Sequence, residues 1–250
     1  MSGALVGFSL GLIGGGGSIL ATPLIVYLVG VRDPHLAIGT SALAVAANAA
    51  LGVVNHARAG HVRWRPGLMF AGAGIAGAFA GSQAGKAVDG QKLLFLFALL
   101  MILVGVLMLR RRRAINSTGE CETADFSRPK VIGFGAFTGI VSGFFGIGGG
   151  FLIVPGLLAS ARLTMINAVG TSLVAVTAFG LTTALNYALS GYVEWALAGV
   201  FIVGGLAGSL AGARAARGLS NRGQLASVFS AVIFIVAAYM LWESGTAVFG

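Results

Sequence analysis

Two glycine runs interrupt apolar stretches of this chain: Gly14-Gly15-Gly16-Gly17, followed by Ser18, and Gly146-Ile147-Gly148-Gly149-Gly150. Each has a proline shortly after it, Pro23 and Pro155. Successive glycines weaken a straight helix by about 1 kcal/mol each relative to Ala. Each run is therefore predicted to be a break between two helical arms, with Pro23 and Pro155 shaping the second arm. That second arm points the free N–H groups and positive dipole end of a helix N-terminus at the break. Glycine leaves no side chain there to hold a ligand away. Two such ends brought together make an anion site from Gly14, Gly15, Gly16, Gly17, Gly146, Gly148, Gly149 and Gly150, with no buried Lys or Arg.

Side chains that suit such a site are hydroxyls and amides. Ser18 stands at the first break, and the triplets Gly39-Thr40-Ser41 and Gly170-Thr171-Ser172 recur in the two parts of the chain. Thr40, Ser41, Thr171 and Ser172 are candidate donors to a substrate; they suit equally well bonds to their own helix backbone or to a neighbour. Asn48, Asn55 and Asn186, in or at the end of apolar stretches, need partners, either another helix or a substrate; Gln83 is similar. Other chemistry is not expected. All seven acids (Asp33, Asp89, Glu120, Glu122, Asp125, Glu194 and Glu243) lie outside the apolar stretches, so a cation pump or voltage sensor is not expected. His35, His56 and His61 show no metal-ligand spacing. A single cysteine, Cys121, excludes a disulfide framework. There is no Ser/His/Asp set, and the glycine run lacks the strand and acid of a dinucleotide loop. The expectation is neither an enzyme nor a protein needing a metal or cofactor.

The elements that must position these residues follow from composition. The chain has 250 residues, 57% hydrophobic and 9% charged. A soluble domain carries about 25% charged residues, so a polytopic all-α membrane protein is predicted. The formal charge of +9 then belongs to loops facing the cytoplasm rather than to nucleic-acid binding. No cleavable targeting segment is expected at the start, which lacks a basic region. Six stretches reach the length a bilayer requires: 36–57, 66–85, 92–109, 165–189, 195–213 and 224–242. The glycine-broken stretches 3–30 and 131–161 complete about eight membrane segments. Trp64, Trp195 and Trp242 sit near span ends as interface anchors.

The chain is an internal repeat. A shift of 131 aligns 37–81 with 168–212, and 18 of 45 pairs are identical. Among these, Asn55/Asn186 and Trp64/Trp195 are not explained by the abundance of Ala and Gly. The glycine runs and prolines align at a shift of 132. Gly74, Gly77 and Gly81, matched by Gly205, Gly208 and Gly212, suit close helix packing. The halves are an N-terminal repeat, 1–113, and a C-terminal repeat, 131–250, joined by a polar linker, 114–130.

Charge placement bears on how the halves are related. If 3–30 and 131–161 each cross the membrane, the repeat is parallel and Lys and Arg divide nine against seven. If both enter, turn at the glycines and return, the repeat is inverted and the division is thirteen against three, with Arg32, Lys86 and Lys92 alone on the poor side. The positive-inside rule favours the second arrangement. Each half then has three spanning helices and one hairpin of arms about 11–14 residues long, reaching near the bilayer middle. Both termini lie outside and the linker is cytoplasmic.

The sequence Gly14 to Ser18, continued by Ile19-Leu20-Ala21-Thr22-Pro23-Leu24 and by Ala37-Ile38-Gly39-Thr40-Ser41, resembles the sulfite exporter TauE/SafE family. The second copy, Gly146 to Pro155 with Ala168-Val169-Gly170-Thr171-Ser172, is still more similar to it. The resemblance covers nearly the whole chain. It implies an inner-membrane transporter of a small sulfur-containing or organic anion such as sulfite or a sulfonate. Together these readings give a permease with a small anionic substrate and the lipid bilayer as partners, compatible with a homodimer and working by alternating access at a midplane site. A non-transporting membrane scaffold and a passive anion channel are the alternatives.

Overall fold

A computed structural model describes residues 18–115, 127–161, 163–220 and 234–243. Among these residues the secondary structure is helical. The elements are α1 (Ser18–Val29), α2 (Pro34–Arg58), α3 (Trp64–Ala87), α4 (Gly90–Ile115), α5 (Arg128–Phe145), α6 (Gly150–Ala161), α7 (Met165–Leu189), α8 (Trp195–Ser220) and α9 (Phe234–Glu243). Their boundaries follow local chemistry. The Asp33 side chain accepts the N–H of His35 at 2.8 Å and Pro34 opens α2, a stop-and-start pair suited to a helix N-terminus. Helix α5 begins with Pro129 in its first turn and ends on Gly146, whose φ of 66° closes the last turn.

Two helices, Pro34–Arg58 and Ile166–Leu189, are long and apolar enough to cross a membrane by length and composition. They pack against each other in opposite directions. A Cβ placed on Gly39 would meet Tyr187 and the Tyr192 carbonyl, one on Gly52 would meet Leu173, and one on Gly170 would meet His56 and the His61 carbonyl. The shift of 131 turns the first of these contacts into the third.

Helix α3 is rich in glycine, which contributes little hydropathy and much packing. It runs alongside α5 in the same direction. Gly74 faces the Gly135 carbonyl, Gly139 faces Gly74, Gly143 faces Ala78, and Gly81 and Gly85 face the carbonyls of Ile140 and Phe144. At each of these positions a Cβ would stand within or near 3 Å of the opposing backbone. The two helices touch main chain to main chain, as small-residue stripes permit. The expected packing role of Gly74, Gly77 and Gly81 is borne out, and their partners lie in the other half of the sequence.

Helix α6 folds back along α5. A Cβ on Gly149 would lie 2.7 Å from the Ser142 Cβ, and one on Gly156 would lie 3.9 Å from the Phe134 Cβ. The chain thus leaves and regains the same end of the bundle, where α3 also starts. One correction applies to the expected arms of about 11–14 residues: α6, with 12, falls in that range, but α5 has 18. At 1.5 Å per residue these reach about 18 and 27 Å. The added length is the polar first turn, Arg128-Pro129-Lys130, which a count of apolar residues omits.

The outer surface is apolar. Leu68, Phe79, Phe137, Leu185, Val203 and Ile235 are all exposed, whereas Thr40, Ser41, Ser142, Thr171 and Ser172 are buried. Such a continuous apolar exterior is out of place on a water-soluble monomer. Trp64, Trp195 and Trp242 are exposed at or near helix ends.

Candidate anion site at the glycine turn

The turn between α5 and α6 is built from left-handed glycines. Gly146, Gly148 and Gly149 have φ of 66°, 65° and 67°, a region costly for residues with a Cβ. Gly146 and Ile147 donate back to the Gly143 and Ser142 carbonyls at 3.2 and 3.3 Å, ending α5. The Gly149 carbonyl accepts from both Leu152 and Ile153, at 2.9 and 3.0 Å, starting α6. The N–H groups of Gly150 and Phe151 head the new helix and stand outside its own ladder. Residues 146–150 are all buried.

Close neighbours fix the position of the turn. A Cβ on Gly146 would run into Ile38, in the second turn of α2. One on Gly148 would lie 3.1 Å from Val45 and 3.3 Å from Val176, each near the middle of its 25-residue helix. The chain therefore turns close to one end of the bundle and dips back to mid-depth at Gly148. Ile147 shares an apolar cluster with Ile19 and Leu20 of α1, together with Leu94, Phe97 and Met101. The start of α1 and the turn before α6 are thereby joined in one core.

Gly14, Gly15, Gly16 and Gly17 lie outside the described residues, as does Cys121. Ser18 is buried at the first residue of α1. Pro23 is buried within α1, and Pro155 lies inside α6, where it withholds the N–H that the Phe151 carbonyl would otherwise receive.

The two Gly-Thr-Ser triplets are engaged in the same way in each half. Thr171 Oγ1 accepts the N–H of Arg63 at 2.9 Å, and Thr40 Oγ1 accepts that of Glu194 at 3.0 Å. Arg63 and Glu194 immediately precede α3 and α8. Gly39 and Gly170 meanwhile admit the carbonyls of Tyr192 and His61. Each triplet docks the loop of the opposite half. Ser41 donates to its own Ile38 carbonyl at 2.9 Å and Ser172 to Val169 at 2.7 Å; Ser41 also pairs with Thr22 at 2.9 Å.

The asparagines separate. Asn186 is buried; its Nδ2 donates to Ser82, and its Oδ1 accepts from Lys86 at 2.9 Å, so it ties α7 to α3. Asn48 donates to the Ala44 carbonyl at 2.9 Å and leaves a buried Oδ1 without a partner. Asn55 and Gln83 are exposed. His56 and His61 lie 5.8 Å apart between ring centres, and among the described residues no group of three metal-ligating side chains occurs.

Sequence reasoning missed Ser142. Its Oγ is buried without a hydrogen-bond partner, and it stands against Gly149. A lone serine in an apolar helix gives no signal of the direction it faces.

Comparison with known proteins points one way. The family model described as "Sulfite exporter TauE/SafE" matches residues 1–240. A Xylella fastidiosa (strain 9a5c) protein named "Probable membrane transporter protein" is 52% identical over 244 residues, covering 97% of this chain and 94% of that one. A Bacillus subtilis (strain 168) protein, "Probable membrane transporter protein YdhB", is 28% identical over 213 residues, covering 84% of this chain and 86% of that one. No solved structure gives a significant match.

Proposed function

We propose that this chain, which belongs to the sulfite exporter TauE/SafE family, carries a small oxyanion such as sulfite or an organosulfonate across the inner membrane. The anion is held at the glycine turn before α6. The observation that carries this reading is the buried turn itself: three left-handed glycines and the start of a helix, sealed in apolar surroundings, with N–H groups that lack a helical partner. Amide groups in that setting attract negative charge. The side chains nearest Gly146 and Gly148, those of Ile38, Val45 and Val176, offer a cation nothing.

An inverted repeat in the membrane is supported by the opposed directions of α2 and α7 and by the return of α6 along α5. The sorting of basic residues agrees with it. Arg63, Arg65, Arg128 and Lys130 gather at the end where α3 and α5 begin, and Arg32 and Lys86 lie at the other; the first end is then cytoplasmic, together with linker 114–130. Alternating access at a site between two related halves is a common use of such symmetry. The glycine contact of α3 with α5 restricts how it happens. These two helices come from different halves and touch backbone to backbone, so they move as one body.

The test is flux in liposomes. Purified protein should give saturable, protein-dependent uptake of at least one of sulfite, sulfate, sulfoacetate, taurine or a short carboxylate. Uptake of none of them, with the protein folded and inserted, refutes anion transport and favours the scaffold role. Non-saturable conductance favours a channel.

A further inference from the structure

Several buried hydroxyls among the described residues are satisfied by their own helix. Ser41, Ser82, Ser160 and Ser172 each donate to a carbonyl three or four residues earlier. Ser142 does not. It is 0% exposed, its helix offers the same carbonyls, and its Oγ has no partner. Thr183 Oγ1 and the Tyr187 hydroxyl are also buried without partners, but Ser142 is the one placed against the turn. A Cβ built on Gly149, the residue before α6, would lie 2.8 Å from Ser142 Oγ. An unmet hydroxyl in a buried place is costly, so a lasting one at a functional turn implies a partner that comes and goes.

We infer that Ser142 is a ligand-binding and specificity-determining residue of the anion site, donating its Oγ–H to one oxygen of an oxyanion whose other oxygens face the N–H groups of Gly150 and Phe151. This rests on the anion-transport reading above and adds a chemical selection to it. An oxyanion meets the hydroxyl and the amides with separate oxygens, as sulfite, sulfonates and carboxylates can, whereas a halide must meet them all with one atom. The residue related to Ser142 by the 132 shift is Leu10, which carries no hydroxyl.

The experiment compares wild type with Ser142→Ala and Ser142→Gly, purified in detergent. Binding of sulfite, sulfate, sulfoacetate, acetate and chloride is measured by calorimetry, and thermal unfolding is measured without ligand. Since the hydroxyl has no protein partner, unliganded Ser142→Ala should melt at or above the wild-type temperature. Its affinity for the oxyanion that wild type binds should fall about 10-fold to 100-fold, and any chloride affinity should not change. A binding loss that comes with a lower unliganded melting temperature overturns the inference in favour of a structural serine. Unchanged oxyanion affinity in both variants overturns it while leaving anion transport standing. Wild-type binding of no anion in the panel overturns both.

Discussion

Gly149→Ala adds one methyl group at the place where backbone and packing constraints meet. The residue has a φ of 67°, and a side chain in that left-handed region costs about 1–2 kcal/mol. The new Cβ would also lie 2.7 Å from the Cβ of Ser142, a separation that forces movement in a tightly packed site, at about 1–3 kcal/mol. The two effects together give about 2–5 kcal/mol. A protein of this size loses about 2–4 °C in melting temperature per kcal/mol, so a drop of about 4–20 °C is expected. Gly30→Ala isolates the backbone part, because Gly30 has a φ of 82° and open space around its Cβ position; its loss should stay near 1–2 kcal/mol. Adding Ser142→Gly to Gly149→Ala should recover the packing part of the stability but not anion binding, since the hydroxyl goes with the Cβ. The assay is thermal unfolding in detergent alongside sulfite uptake in liposomes. A Gly149→Ala protein that melts with wild type and transports at the wild-type rate refutes the reasoning about the turn.

Three further outcomes follow from the same contacts. Thr171→Val removes the acceptor for the Arg63 N–H and should cost about 1 kcal/mol of stability with anion affinity unchanged; a selective loss of affinity would mean the triplet touches substrate instead. Gly139→Leu, which drives a side chain into the Gly74 backbone, should prevent recovery of folded protein, and a normal gel-filtration profile would contradict the α3–α5 contact. Lys86→Met removes donors to the Asn186 carbonyl, Asn186 Oδ1 and Ser190; because Lys86 is half-buried the loss should be about 1 kcal/mol, read as a lower melting temperature with flux retained.

How far the sequence disclosed this protein depends on whether a feature is local. The break at Gly146–Gly150 was legible because glycines in series, a proline and a second copy all signal it within a few residues. The packing role of Gly74, Gly77 and Gly81 was legible from their spacing. Their partners Gly135, Gly139 and Gly143 were not, since pairing α3 with α5 depends on how the halves interleave. Thr40 and Thr171 remained ambiguous in sequence because a hydroxyl serves a substrate, its own helix or a loop with equal ease. The structure assigns them to the N–H groups of Glu194 and Arg63, each more than a hundred residues away. The unequal arms of the hairpin escaped for a different reason. Hydropathy marks where a chain becomes apolar, whereas a helix begins where its first turn is capped, here at Arg128 with Pro129 behind Ser127.

Location of the bound anion is the most direct test of the whole account. Crystals of the protein equilibrated with selenite, a heavier counterpart of sulfite, would reveal the ion by anomalous scattering. The predicted result is a peak within hydrogen-bonding distance of the Gly150 and Phe151 amides and of Ser142 Oγ, absent in Gly149→Ala. A peak confined to the basic loops around Arg63 and Arg128, with none beside the glycine turn, would contradict it.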